Sequence, residues 1–303
     1  MRYDVAIVGG GPAGLSAALV LGRATRSVVV FDSGQPRNRA ARAIHGYLTR
    51  DGITPSQFIA QARADLRPYR VDIVEREVRQ AIRMPQGDFL LQTSEAGEVR
   101  ARKVLLATGV RDDLPAITGF ADFYGQSVHH CPYCDGWEHR GKRLAAIGAG
   151  NGAVGLALAL RTWSESVAAC VLDEEPDEEF AALAASNTIE IVSGAIASME
   201  GVGGQVQCLR FASGAKLRCD AVFFHADQYQ RSSLPHRLGC QVDREGGVIV
   251  SDRQHTGVPG LFVAGDADRE VQFVIVAAGQ GATAAVAINR ELQDEERGTR
   301  PAT

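Results

Sequence analysis

The sequence predicts an α/β chain of two Rossmann-like three-layer nucleotide-binding domains, the second inserted in the first, and three observations predict it. A glycine-rich turn, Gly9-Gly10-Gly11-Pro12-Ala13-Gly14, follows the apolar run from Tyr3 to Val8. A second such turn, Gly148-Ala149-Gly150-Asn151-Gly152-Ala153, follows Leu144 to Ile147. Near the C-terminus a third apolar run, Leu261 to Ala264, ends at Gly265-Asp266. Strand, glycine turn and helix in that order bring backbone N–H groups to a pyrophosphate at a helix N-terminus.

The elements follow in order. Tyr3 to Val8 predicts a buried strand, Ala13 to Arg23 a helix rich in Ala and Leu, and Ser27 to Phe31 a β-branched strand. Asp32 follows it, 18 residues after Gly14, where an acid can take ribose hydroxyls. Lys103 to Leu106 predicts a strand entering Ala107-Thr108-Gly109, and Pro115 to Gly119 a crossover into the second unit. That unit begins with Leu144 to Ile147, a helix from Ala153 to Thr162 and a strand from Val167 to Leu172. Ala221 to Phe224 and Gly247 to Val250 predict further strands, the latter starting the return to the first domain. An alanine-rich helix from Val276 to Leu292 closes the chain, with a frayed charged tail from Gln293 to Thr303. The expected boundaries are 1–116 with 243–303 for the first domain and 117–242 for the second.

Composition narrows the class. At 303 residues, 45% hydrophobic and 22% charged, the chain has room for two cores of ordinary size. A net charge of −4 gives no electrostatic reason to expect nucleic acid or an acidic membrane as partner. The apolar run from Val5 to Gly22 reads as strand, glycine turn and helix rather than as a signal peptide, so a cytoplasmic protein is expected. Of six cysteines only Cys131 and Cys134 are close in sequence. Cys170, Cys208, Cys219 and Cys240 are scattered and read as inert core thiols in a reducing compartment.

The stretch Cys131-Pro132-Tyr133-Cys134-Asp135 carries the chemistry. Two intervening residues bring the sulfurs within bridging reach, and a helix start there would favour a thiolate. Pro132 suits a first helical turn, and the carboxyl group of Asp135 can move a proton to or from a thiol. A zinc site would need further ligands, for which His129, His130 and His139 are the nearby candidates, but a flavin context explains the pair without metal. His129 and His130 are expected on the polar surface, with His130 the candidate for a proton path, and Trp137 is expected to serve packing.

Together these residues resemble the low-molecular-weight thioredoxin reductase family of flavoproteins, over nearly the whole chain. The likeness rests on the first glycine turn, Ala107-Thr108-Gly109, Cys131 to Asp135, the second glycine turn, Gly265-Asp266 and the stretch from Gln272 to Ala285. It implies FAD on the first turn, held by Gly9, Gly11, Pro12, Ala13, Gly14 and Asp32 on the adenosine side. Gln35, Thr108 and Gly109 are further cofactor-binding candidates; Asp266 would bind the ribityl chain, and Gln272 with Phe273 would border the ring. It also implies that Cys134 lies against the flavin and takes its electrons, that Cys131 attacks a substrate disulfide, and that Asp135 is the acid and base. The implied partners are a disulfide or dithiol, in a protein or a small molecule, and a second copy of the chain as homodimer.

Two departures qualify the likeness. Members that use NADPH carry a His-Arg-Arg stretch at the end of the second unit's second strand, where this chain has Val171, Leu172 and Asp173. From Asp173 to Glu179, six of seven residues are carboxylates, which would repel a 2′-phosphate that arginine would clamp. NADPH is therefore not expected. NADH remains open through Asp173, and Gly148, Gly150, Asn151, Gly152 and Asp173 mark a possible second nucleotide or flavin site. The second departure is Val271, where thioredoxin reductases have arginine beside Gln272. The expected activity is an FAD-dependent dithiol–disulfide oxidoreductase without NADPH, a second FAD being one candidate partner. Alternatives are a dithiol oxidase that closes a disulfide in a small molecule using oxygen, and an NADH-dependent thioredoxin reductase. A non-catalytic flavin-binding or redox-sensing protein is a further class, and retention of Cys131, Cys134 and Asp135 argues against it.

Overall fold

Strands buried at every position occur in each of two sheets, Val28–Phe31 and Leu261–Val263 in one, Val167–Val171 and Ala221–Phe224 in the other, as expected where helices cover both faces of a parallel sheet. The computed structural model describes residues 2–95, 97–268 and 271–298. The chain divides into two units, one of residues 1–39, 55–111 and 228–303, the other of 40–54 and 112–227.

In the first unit Arg2–Val8 runs parallel to Val28–Phe31 on one side and to Glu98–Leu106 on the other. Val71–Val74 extends the sheet beyond Val28–Phe31. The strand Glu98–Leu106 is shared: its start pairs antiparallel with Phe89–Thr93, and its end pairs parallel with Leu261–Val263. Val78–Arg83 closes that edge. The helix Pro12–Arg23 buries Leu15, Ala17, Ala18 and Leu21 against the sheet and against the C-terminal helix Val274–Glu296. The two helices approach closely because Gly281 has no side chain, and a Cβ there would overlap the carbonyl of Ala13.

The second unit centres on Leu144–Gly148, flanked by Val167–Val171 and Ala221–Phe224, all parallel. Glu190–Ser193 and Val128–His129 form the edges. The helix Gly150–Leu160 covers one face, and an antiparallel sheet of Ile196–Val202, Gln205–Phe211 and Lys216–Arg218 packs on the other through Phe211, Leu209 and Phe224.

The α/β class and the insertion agree with the sequence; several details differ. The second unit begins at Asp112 and ends at Asp227, and it includes residues 40–54. Gly247–Val250 is not a strand: Val248 makes one isolated bridge to Val242, and its N–H goes to the carbonyl of Ala267. The last helix reaches Glu296, into the stretch expected to fray, because Glu296 pairs with Arg26 and Arg102, and Glu295 with Arg102 and Lys103. The end of that tail, 299–303, lies outside the described residues. No helix among the described residues is long and apolar enough to cross a membrane.

Candidate active site

The first glycine turn leaves its helix N-terminus open. Gly9 has φ +117°, and a Cβ there would overlap the carbonyl of Ala107. Gly11 N-caps the helix Pro12–Arg23 with no side chain over its first N–H groups, no acid in its first turn and open space beside its Cα. Pro12 at the helix start lacks an N–H that would otherwise need a partner. Ala13 and Gly14 are buried beneath the turn. Asp32 ends the next strand, accepts the N–H of Gly34 at 3.0 Å and pairs with Arg63 Nη2 at 2.7 Å. Thr108 Oγ1 and Arg63 Nε are sealed from solvent without a hydrogen-bond partner. Open N–H groups, a half-buried acid and unsatisfied buried polar atoms fit FAD at this turn.

A polar cluster adjoins it in the same unit. Arg37 Nη1 donates to Gln272 Oε1 at 2.7 Å and to Asp266 Oδ2 at 3.1 Å. Gln272 also exchanges two hydrogen bonds with Gln228, at 2.8 and 3.0 Å. Phe273 N-caps the last helix. Gly109 follows with φ +64°, and its carbonyl accepts the N–H of Arg231. Gln35 is exposed and takes a hydrogen bond from Arg231 at 3.1 Å. Val271 is exposed, so where the resemblance expects arginine beside Gln272, the guanidinium bound to that amide is Arg37. The sequence reading missed Arg37, Arg63 and Gln228. A signal existed for the first, since Arg37-Asn38-Arg39 is a basic cluster close behind Asp32; none existed for the others.

In the second unit Cys131 and Cys134 form a disulfide with their Cα atoms 5.3 Å apart. Cys131 N-caps the short helix Pro132–Asp135, and its sulfur accepts the N–H of Cys134 at 3.2 Å. Tyr133 between them is 76% exposed and meets Trp163 edge to face. Trp137 is 64% exposed and lies beneath the guanidinium of Arg140 at 4.0 Å, so it is not the packing residue expected. The inward position of its turn belongs to His139.

The histidines also differ from expectation. His129 is 6% exposed and His139 is 4% exposed, because the strand Val128–His129 turns His129 onto Phe223 inside the sheet. His129 Nδ1 lies 3.3 Å from Asp135 Oδ1, and its Nε2 lies 3.0 Å from Nε2 of His139. His139 Nδ1 is 3.4 Å from Nζ of Lys142. Burial, and then His129, push the pKa of His139 down to about 4. His130 instead meets the hydroxyl of Tyr124 at 3.2 Å. Cys170, Cys219 and Cys240 are buried, and burial raises the pKa of each, while Cys208 is half-buried.

The second glycine turn is occupied by its own chain. Gly150 donates its N–H to the carbonyl of Glu174 at 2.9 Å. Asn151 Nδ2 donates to Asp177 Oδ2 at 2.7 Å, and the N–H of Asp177 donates to Asn151 Oδ1 at 3.0 Å. Asp177 also caps the helix Glu178–Ser186. Gly148 ends its strand, with its carbonyl taken by the N–H of Leu172, and Gly152 follows in the covering helix near His225. Asp173 is exposed past the end of Val167–Val171.

Comparison with known proteins adds a lineage to this geometry. Residues 3–281 match the family described as pyridine nucleotide-disulphide oxidoreductase. The thioredoxin reductase tcpT of Claviceps purpurea is 34% identical over 87% of this chain and 86% of its own. TrxB of Bacillus anthracis, assigned as a thioredoxin reductase, superposes with a TM-score of 0.92 at 31% identity, over 97% of this chain and 99% of its own. An oxidoreductase of Agrobacterium tumefaciens does so with a TM-score of 0.89 at 32% identity, over 97% and 99%.

Proposed function

The chain belongs to the pyridine nucleotide-disulphide oxidoreductase family as a thioredoxin reductase-like FAD enzyme acting on disulfides, and from that membership we propose that it exchanges electron pairs between FAD and Cys131/Cys134 without drawing them from NADPH. The carrying observation is the bond from Gly150 N–H to Glu174. A dinucleotide's pyrophosphate needs such N–H groups free at the helix start. Here one is taken, and the side chain of Asn151 is spent on Asp177. No lysine or arginine occurs between Arg161 and Arg210, so a 2′-phosphate would meet the carboxylates of 173–179 with no local cation.

FAD, when bound, supplies a carrier of two electrons. The remaining work falls on side chains. Two electrons entering the Cys131–Cys134 disulfide break the S–S bond and leave two sulfurs that need two protons. Cys131, at the cap of its short helix, is the sulfur proposed to exchange with the partner disulfide, and Cys134 the one that communicates with the cofactor. Asp135 is proposed to move the proton. A homodimer is proposed on family likeness alone.

A second reading, NADH at the same turn, rests on the exposed Asp173. Titration calorimetry of the FAD-loaded protein separates the two. No saturable binding of NADP⁺ or NAD⁺ is expected; saturable NAD⁺ binding alone would support the second reading, and saturable NADP⁺ binding would refute both.

A further inference from the structure

Two buried histidines behind the redox pair have no part in the steps above. We infer that His139 and His129 form a proton relay between exposed Lys142 and half-buried Asp135, an inference that rests on the redox role proposed for Cys131, Cys134 and Asp135.

Donors and acceptors fix the direction of this chain. Charged Lys142 can only donate, so Nδ1 of His139, 3.4 Å away, is an acceptor. In a neutral imidazole the proton then sits on the other nitrogen, so His139 Nε2 donates to His129 Nε2 at 3.0 Å. That makes His129 Nε2 an acceptor and places its proton on Nδ1, 3.3 Å from the carboxylate oxygen Oδ1 of Asp135, which can only accept. All three contacts thus point the same way, from the surface to Asp135. The neutral state of His139 agrees with its depressed pKa, set by burial and by His129 and Lys142 against weaker opposing pulls from Asp135 and Asp220. Lys142 is exposed, whereas both imidazoles are buried and packed with Phe223.

The balance is direct. One concerted shift moves a proton from Lys142 to His139 Nδ1, from His139 Nε2 to His129 Nε2, and from His129 Nδ1 to Asp135, and water then reprotonates Lys142. When dithiothreitol reduces the Cys131–Cys134 bond, its two thiols release two protons to solvent and become a disulfide, while the protein's sulfurs take up two protons and become thiols. The relay supplies through Asp135 the proton for one of them. Oxidation of the pair runs the shift in reverse.

The test follows formation of the two thiols directly. Oxidised, FAD-loaded protein is mixed with dithiothreitol, quenched and alkylated, and labelling of Cys131 and Cys134 is read by peptide mass, across pH and in H₂O and D₂O. The parent is expected to show a solvent isotope effect that curves with deuterium fraction, since several protons move together. Lys142→Ala, on an exposed side chain, is expected to slow the reaction about a hundredfold, the lower end for a positioned proton-transfer group. Added methylammonium should restore it. His139→Gln should be slowed alike and not restored. Variants that react at the parental rate, with the parental isotope effect, would overturn the relay. A parent whose disulfide resists dithiothreitol would overturn the assignment of the redox pair, and the relay with it.

Discussion

Asn151 and Asp177 are joined by two hydrogen bonds, side chain to side chain at 2.7 Å and backbone N–H to amide oxygen at 3.0 Å. They fasten the acidic loop over the second glycine turn, where Glu174 already holds the N–H of Gly150. The first turn carries no such cover: its cap is glycine, its first turn has no acid, and among the described residues no heavy atom beyond Gly11 and its chain neighbours lies within 4 Å of where a Cβ of Gly11 would sit. One fold element, repeated, is open in one unit and closed in the other.

Asp32→Ala should weaken FAD retention. The ribose hydroxyls would lose a charged partner worth roughly 1.5–3 kcal/mol, or about ten- to a hundredfold in affinity. Arg63 would also lose one of its two carboxylates, keeping Glu75. Flavin fluorescence during dilution measures release; a variant that keeps flavin as the parent does would remove Asp32 from the site.

Arg37→Met removes the cation shared by Asp266 and Gln272. The expected result is weaker flavin retention and a shifted flavin absorbance spectrum in what remains bound. An unchanged spectrum with full occupancy would mean that Arg37 does not stand in for the arginine absent at Val271.

Dithiothreitol should reduce the bound flavin through the cysteine pair. Cys134→Ser should abolish that communication, while Cys131→Ser should leave a thiol that alters the long-wavelength absorbance of the flavin. Equal rates of flavin reduction in the parent and both serine variants would contradict the roles assigned to the two sulfurs.

His139 gives the fold a pH dependence with a definite sign. Its pKa lies near 4 in the folded protein against about 6.5 in an unfolded chain. Between those values the unfolded state binds more protons, so stability falls as pH drops from about 6.5 to about 4, by at most about 3 kcal/mol from this residue. Denaturant unfolding at pH 7.5, 6, 5 and 4 should show His139→Gln losing less stability across that window than the parent. Parallel pH profiles would mean that His139 titrates normally.

The sequence made the parallel, doubly covered strands legible. Val28–Phe31 and Ala221–Phe224 are continuous apolar runs buried along their whole length, and glycine turns punctuate the rest. Strands with one wet face were missed. Val78–Arg83 buries only Val78 and Ala81, and Arg79, Gln80 and Arg83 break up its apolar pattern. Residues 40–54 gave no sign of joining the second unit, because that choice depends on pairings such as Ala40 against Gly125, far apart along the chain.

At the site, contiguous motifs were legible and distant pairings were not. Cys131, Cys134 and Asp135 stand together in sequence, and so do the glycines. Arg37 reaches Gln272 across more than two hundred residues, which no local pattern encodes. His129 and His130 read as polar until the edge strand Val128–His129 fixes which of the two adjacent histidines points inward.

The most direct test of the central claim is anaerobic rapid mixing of the FAD-loaded protein with NADPH, NADH or dithiothreitol, followed at the flavin absorbance maximum. The account predicts that dithiothreitol bleaches the flavin while NADPH does so no faster than buffer; NADH is the control that lacks the 2′-phosphate. Bleaching by NADH alone would mean that NADH binds the second glycine turn, with its ribose diol at Asp173, despite the bond between Gly150 and Glu174. Fast, saturable bleaching by NADPH would contradict the account.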